Sequence, residues 1–299
     1  MPKQDAAIVI ATYSRRMRLR LPDGEEVNAR IKGKRLKPVC GDLVVAKPIE
    51  AESDWLISSI LARDNELSRP NMRGQTEVLA ANVEMLLVVA AGSPEADWFI
   101  VDRYLCAAED MNIPAAVIFN KTDLEPKNSA VDKTLDEYEQ IDYPTLRCSA
   151  KTGDGIEAIQ TLLRSRTAII VGQSGVGKSS IINKLTGIEQ QRTAEVSGKT
   201  GEGKHTTVNS MMISLPGGGK IIDSPGVRDY APALDSATQV IRGFREIEQA
   251  GHECRFANCR HLREPGCAAK MAVEDGTISA RRYESYRRLA ALTEKLATP

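Results

Sequence analysis

Apolar residues recur along this chain with three different rhythms. In the first, over residues 1–68, they alternate with polar ones in short runs. Residues 17–21 read MRLRL and 27–31 read VNARI, with Pro22, Asp23 and Gly24 between them. Period-two alternation on either side of turn formers predicts a hairpin, and the whole stretch reads as a small β-domain. The second rhythm begins at residue 83. Runs at 83–90 (VEMLLVVA), 115–119 (AAVIF), 167–171 (TAIIV) and 220–223 (KIID) are almost wholly apolar, and helical stretches fall at 97–111, 130–140, 156–165 and 179–186. Strands buried on both faces and alternating with helices predict a parallel, doubly wound α/β sheet. From about residue 233 the pattern is mostly helical, with helices expected at 235–249 and 279–297 and Ser279 as an N-cap. Turn formers at Ser68, Arg69, Pro70, Asn71, Arg73 and Gly74 mark the first boundary. The expected division is therefore 1–68, 75–232 and 233–299, in line with a chain of 299 residues that exceeds one hydrophobic core.

The end of the run at 167–171 leads into GQSGVGKS, residues 172–179. Glycines at 172 and 177 allow backbone angles closed to other residues, so that successive N–H groups point at phosphate oxygens. Lys178 supplies a point charge, and Ser179 a hydroxyl for Mg²⁺. The helix that follows presents its N-terminus to the anion. Gly172, Gln173, Ser174, Gly175, Val176, Gly177, Lys178, Ser179 and Ser180 are thus candidate nucleotide contacts. The loop alone leaves ATP and GTP both open.

Upstream, the strand at 115–119 ends in NKTD, residues 120–123. The Asp123 carboxylate can accept hydrogen bonds from guanine N1–H and N2–H₂, whereas adenine offers no amino group there. Asn120 can brace the neighbouring loop or the base edge, and the Lys121 stem can lie along the purine. A third strand, 145–151, closes in Ser149, Ala150 and Lys151, which suits the same guanine pocket. Downstream, the strand at 220–223 ends in DSPG. Asp223 is placed to hold Mg²⁺ through water, and the Gly226 N–H to meet the γ-phosphate. Between helix and strand, residues 189–209 lack periodicity and contain GKHTT at 203–207. Thr206 or Thr207 is expected to reach Mg²⁺, the choice between them being open. The residue after Gly226 is Val227, which cannot orient a water molecule, so the isolated protein should turn over slowly, on the order of once per hour or less. His205 is a candidate to orient that water; the other reading is a solvated loop histidine.

Cys254, Cys259, His261 and Cys267 place three thiols and one imidazole within fourteen residues. This closed set suits a structural, tetrahedral Zn²⁺ with no position left for catalysis. His252 is a competing ligand, but His261 lies inside the cluster. Arg255, Arg260 and Arg263 would coat such a knob with positive charge. The other cysteines, Cys40, Cys106 and Cys148, lie apart; Cys106 falls on a predicted helix and Cys148 in a strand, as small hydrophobes.

The formal net charge is zero, which argues against a generally basic nucleic-acid binder. Locally the balance differs. Residues 1–37 carry ten Lys/Arg (Lys3, Arg15, Arg16, Arg18, Arg20, Arg30, Lys32, Lys34, Arg35, Lys37) against four acids, a net of +6. A small β-domain biased in this way reads as an RNA-contacting surface, and Tyr13 as the lone aromatic of residues 1–37 makes base stacking a poor mode. No signal-peptide pattern and no run of eighteen apolar residues occurs, so a cytoplasmic protein without a membrane partner is expected, and nothing suggests self-association beyond a monomer.

In ordinary GTPases the phosphate loop precedes the base reader. Here the order is NKTD, SAK, phosphate loop, threonine segment, DSPG, which resembles the circularly permuted GTPases. With a basic β-segment before this core and the Cys/His cluster after it, essentially the whole chain resembles the ribosome small subunit-dependent GTPase A (RsgA) family. The resemblance implies an N-terminal OB-fold barrel, a permuted P-loop GTPase domain and a C-terminal zinc domain with His261 as its histidine. It also implies hydrolysis of GTP to GDP, stimulated by the small ribosomal subunit, in late maturation of that subunit, with rRNA bound by the flanking domains. The competing expectations are a permuted GTPase of large-subunit assembly and a nucleotide-independent RNA-binding module.

Overall fold

The computed structural model describes residues 6–14, 16–33, 35–70, 75–124, 129–187, 208–224 and 237–297. His205, Thr206, Thr207, Gly226 and Val227 lie outside the described residues, as do Lys3, Arg15 and Lys34.

Five strands make the first unit: β1 (Ala7–Tyr13), β2 (Met17–Arg20), β3 (Glu26–Ile31), β4 (Leu43–Pro48) and β5 (Trp55–Ile60). They run β1-β2-β3-β5-β4, and β4 pairs back to β1, closing an OB-like barrel. The alternation in sequence maps onto the barrel wall: Met17, Leu19, Val27 and Ala29 point inward while Arg18 and Asn28 face out. Gly24, at φ 91°, makes the β2–β3 turn, and the Asp23 carboxylate accepts from Glu25 N–H.

Next come β6 (Glu66–Pro70) and β7 (Thr76–Ala81), an antiparallel hairpin. Ser68, Arg69 and Pro70, read from sequence as boundary turn formers, therefore sit in a strand paired with Val78, Glu77 and Thr76.

The central sheet is built from β8 (Met85–Ala91), β9 (Ala115–Asn120), β10 (Thr145–Arg147), β11 (Thr167–Gly172), β12 (Val208–Ser214) and β13 (Lys220–Asp223). Its spatial order is β10-β9-β8-β11-β13-β12; all are parallel except β12, which is antiparallel to β13. Around it lie α1 (Trp98–Asp110), α2 (Ser129–Glu139), α3 (Ile156–Leu163) and α4 (Lys178–Thr186). Alternate residues of β8 feed two cores. Leu86, Val88 and Ala90 pack with Tyr104, Leu105 and Leu135 of α1 and α2; Leu87, Val89 and Ala91 pack with Ile159, Leu163 and Ile181 of α3 and α4. The sheet is thus doubly wound, and β8, β9, β11 and β13 all discharge their carboxyl ends at one edge. Cys148 falls one residue beyond β10 rather than within it. Burial pushes its thiol pKa up to about 12, so it behaves as a small hydrophobe there.

On its far side, β12 pairs with β1 of the barrel, Ala11 opposite Met211 and Thr12 opposite Ser210, which joins barrel and sheet into one eleven-stranded array.

The C-terminal part holds α5 (Ala237–Arg242), α6 (Arg245–Gly251), α7 (Ala268–Glu274) and α8 (Ala280–Ala297). The single helix expected at 235–249 is broken at Gly243 and Phe244. Gly243 lies flat against Cys106 of α1, where a Cβ would overlap the cysteine side chain, and Phe244 is buried beside Tyr286. Ser279 caps α8 as expected, accepting from Arg282 N–H at 3.4 Å.

A buried ionic bracket fastens these helices to the central unit. Arg282 Nη1 donates to Asp102 of α1 at 2.9 Å, and its Nε and Nη2 hold Glu246 of α6 at 2.8 and 3.0 Å. Arg281 reaches Asp102 and Glu137 of α2, and Tyr138 O–H donates to Asp102 at 2.7 Å.

Candidate nucleotide site and metal cluster

β11 delivers the chain to Gly172, whose φ of 133° and contact with Val89 O leave no room for a Cβ. Val176 is fully buried in the core below and anchors the loop, while Ser174, Ser179 and Ser180 stay exposed above it. Gly177, at φ 94°, starts α4 with no side-chain cap, so the first N–H groups of the helix face the loop. Lys178 Nζ lies across the loop, donating to Gly172 O at 2.7 Å and Gln173 O at 2.8 Å. Gln173 Oε1 in turn accepts from Asp97 N–H at 3.4 Å, and Asp97 caps α1.

Asn120, 1% exposed at the end of β9, ties three segments together. Its Nδ2 donates to Val176 O of the phosphate loop at 2.8 Å, and its Oδ1 accepts from Ala150 N–H at 3.0 Å and from the Cys148 thiol at 3.5 Å. Of the two roles open to Asn120, these bonds are those of a brace. They also explain Gly177: a Cβ there would overlap Asn120 Nδ2. Lys121, at φ 66°, stretches beside the loop and donates from Nζ to Ser93 O at 2.6 Å.

Asp123 stands at the outer end. Ser149 donates to its Oδ1 at 2.6 Å, and Lys151 Nζ lies 3.7 Å from Oδ2. The Ser149 hydroxyl first, with help from Lys151, holds this carboxyl below its ordinary value, so it is ionised and purely accepting at neutral pH. Ser149 is itself buried and acts by orienting Asp123. Asp223 lies at the end of β13, on the same sheet edge, with Ser224 directly after it. NKTD, SAK, the phosphate loop and Asp223 therefore share one edge. Ser93, Asp97 and Cys148 also take part; none stands in a motif, and only the fold brings Ser93 and Asp97 there, whereas Cys148 directly precedes Ser149.

In the C-terminal part, the Sγ atoms of Cys254, Cys259 and Cys267 and a ring nitrogen of His261 all lie within 4.8 Å of one another. Cys254 and Cys267 sulfurs are 3.9 Å apart, and each is 3.5 Å from His261 Nδ1. A tetrahedron with ordinary zinc bond lengths has edges of about 3.8 Å between sulfurs and about 3.5 Å from sulfur to nitrogen. Cys254, Cys267 and His261 match these edges, and Cys259 lies within 4.8 Å of each, so the four residues suit Zn²⁺. His252 is exposed and outside the converging set. Burial works against the Cys254 thiolate, but N–H groups of Ala268 and Ala269 and the neighbouring thiols bring its pKa below the ordinary value. Glu264 organises the loop: its carboxylate accepts from the N–H groups of Arg260, Leu262 and Arg263 at 3.0 Å. Burial opposes its charge, yet its own N–H and those of the three neighbours carry its pKa down to about 2.

The barrel carries less uncompensated charge than the local count suggests. Arg18 and Arg20 pair with Glu26, and Arg30 pairs with Glu52 and Asp54, two acids beyond residue 37. Arg16, Lys32, Arg35 and Lys37 are exposed.

A phosphate loop braced to a guanine-type carboxylate, on a sheet whose strands follow a re-cut order, defines a P-loop nucleotide-binding protein of the permuted class. The family model described as RsgA GTPase matches residues 60–232. Small ribosomal subunit biogenesis GTPase RsgA of Ectopseudomonas mendocina is 43% identical over 255 residues, 85% of this chain and 74% of that protein. The Shewanella oneidensis protein of the same name is 36% identical over 295 residues, 96% of this chain and 83% of that one. Among solved structures, YjeQ from Thermotoga maritima superposes with a TM-score of 0.73 at 28% identity, covering 96% of this chain and 97% of that one. YloQ, described as a circularly permuted GTPase, also gives 0.73, at 23% identity and covering 97% and 94%; it supports the fold alone. The chain belongs to the RsgA GTPase family.

Removal of zinc is expected to release the C-terminal loop, since so short a segment has little core of its own. Chelation should strip one Zn²⁺ per chain and abolish amide-exchange protection at residues 254–267. Unchanged protection would show that the cluster is not metal-stapled.

Proposed function

We propose that this protein hydrolyses GTP as an assembly factor in late maturation of the small ribosomal subunit, and that the subunit stimulates the reaction. The observation that supports the reading is the Asn120 brace, which ties the end of β9, three residues before Asp123, to the phosphate loop and to Ala150. Membership in the RsgA family and the names of the relatives point to the small subunit.

Three units share the work in this reading: a barrel at 1–68, a GTPase unit at 75–232 and a zinc unit at 233–299. Residues 172–180 hold the phosphates, with Lys178 offsetting their charge, and Asn120, Lys121, Asp123, Ser149, Ala150 and Lys151 form the guanine end. Ser179 and Asp223 would hold Mg²⁺, with Thr206 or Thr207 completing its shell; bound there, the ion neutralises charge on the β- and γ-phosphates. Gly226 N–H meets the γ-phosphate and His205 orients the attacking water. Cys254, Cys259, His261 and Cys267 would hold Zn²⁺ as a structural staple. The exposed barrel cations and the arginines of the zinc loop contact rRNA, and the protein works as a monomer in the cytoplasm. No helix among the described residues is long and apolar enough to cross a membrane.

Turnover measured alone, with purified small subunits and with large subunits tests this. Stimulation by small subunits of at least a hundredfold is expected, smaller than the ~10⁵-fold gained where a partner supplies a catalytic group. His205→Ala should lose most of it while GTP affinity stays intact. Stimulation by large subunits instead, or by neither, would contradict the proposal.

A further inference from the structure

Three hydroxyl side chains are buried together where the barrel meets the sheet: Thr12 of β1, Ser210 of β12 and Ser224 after β13 are 8%, 6% and 6% exposed. Ser210 Oγ lies 2.9 Å from Ser224 Oγ and 2.8 Å from Asn209 O. A hydroxyl has one proton, so the set closes in one direction: Ser224 donates to Ser210, and Ser210 donates to Asn209 O. Thr12 is the cross-strand partner of Ser210, so its side chain lies beside the pair on the same face of the sheet.

The placement of this pair is specific. Ser210 stands three residues after Thr207, on the strand leaving the threonine segment. Ser224 follows Asp223 directly, at the start of DSPG. Both segments must answer to the same γ-phosphate if the proposed hydrolysis is right, and their roots are otherwise joined through the β12–β13 ladder, in which Met211 faces Asp223. One side-chain bond thus spans the two roots, in a dry setting where a hydrogen bond holds geometry well.

We propose that Ser210 and Ser224 are a positioning pair for GTP hydrolysis: their hydroxyl bond fixes the start of β12 and the end of β13, from which the threonine and DSPG segments spring, relative to each other for the chemical step. Both hydroxyls are buried and neither is among the candidate nucleotide contacts, so the pair is expected to act on turnover and not on affinity. This rests on the functional reading above, and the assays separate the two.

The experiment compares Ser210→Ala, Ser224→Ala, the double variant and Ser224→Thr with the unaltered protein. GTP KM, kcat with small subunits, and subunit-free single-turnover rate are measured, with thermal unfolding as a check on folding. Each alanine variant is expected to lose about tenfold in kcat, the scale set by one hydrogen bond of typical strength that matters only at the transition state, with KM within twofold. The double variant should lose no more than either single, and Ser224→Thr should recover most of the rate. Unchanged rates, additive losses, or a loss seen in KM would overturn the proposal. If subunits fail to stimulate even the unaltered protein, the ribosomal reading falls, and the pair is still judged by the same pattern in the subunit-free rate.

Discussion

Asp123→Asn is expected to move the preference of the site from guanine to xanthine. The wild-type carboxylate offers two acceptors to N1–H and N2–H₂ of guanine. Asparagine keeps the shape and keeps an oxygen for the Ser149 hydroxyl, which donates at 2.6 Å in the unaltered protein. Its Nδ2, however, brings a donor toward the guanine amino group, while the 2-carbonyl of xanthine accepts from it. Sites built to hydrogen-bond a substrate reject a mismatched analogue by as much as ~10⁴-fold, so a fall in GTP affinity of a hundredfold or more is expected, with a matching gain for XTP. Competition against a fluorescent GDP analogue measures both. Unchanged GTP affinity would show that Asp123 does not read the base. The pH dependence has a definite sign. Ser149, with Lys151, holds the carboxyl below its ordinary value of 3.8, so guanine binding should stay flat down to that value and fail only below it.

Arg282→Met is expected to cost about 3–5 kcal/mol of stability. Arg282 is 1% exposed, and its removal strands the Glu246 carboxylate and one side of Asp102 in the interior. The guanidinium also stacks over Phe244, 4.5 Å from the ring centroid, so methionine replaces the packing but none of the hydrogen bonds. Glu246, Asp102 and Arg282 come from α6, α1 and α8, so the loss should loosen the C-terminal helices from the central sheet rather than unfold either alone. Hydrogen exchange resolved by segment reads this directly: protection should fall across α5, α6 and α8 while β8 and β9 hold. A loss under about 1 kcal/mol, in the range of surface ion pairs, would show that the bracket is not structural.

The parts of the molecule legible in sequence are those whose chemistry is local. A phosphate loop needs glycine where the backbone turns left-handed, and Gly172 and Gly177 stand where the fold requires them. A strand buried on both faces needs an apolar run, and β8 and β9 are buried along their whole lengths. The re-cut order of motifs was visible for the same reason, because each motif reads by itself. What escaped depends on distant partners. The break at Gly243 comes from Cys106 on another helix. The hairpin at β6 and β7 hid behind residues that also make good linkers. Asn120 had two roles open until Val176 and Ala150 were seen beside it. The local count of barrel charge missed Glu52 and Asp54, which lie outside the window but opposite Arg30.

One cleft, gripping a triphosphate at Lys178 and reading a purine at Asp123, is the claim on which the rest depends. Equilibrium titration of the unaltered protein with GTP and with ATP, in the presence of Mg²⁺, tests it most directly. One GTP per chain is predicted, with ATP bound at least a thousandfold more weakly. Equal affinity for the two nucleotides would contradict the account.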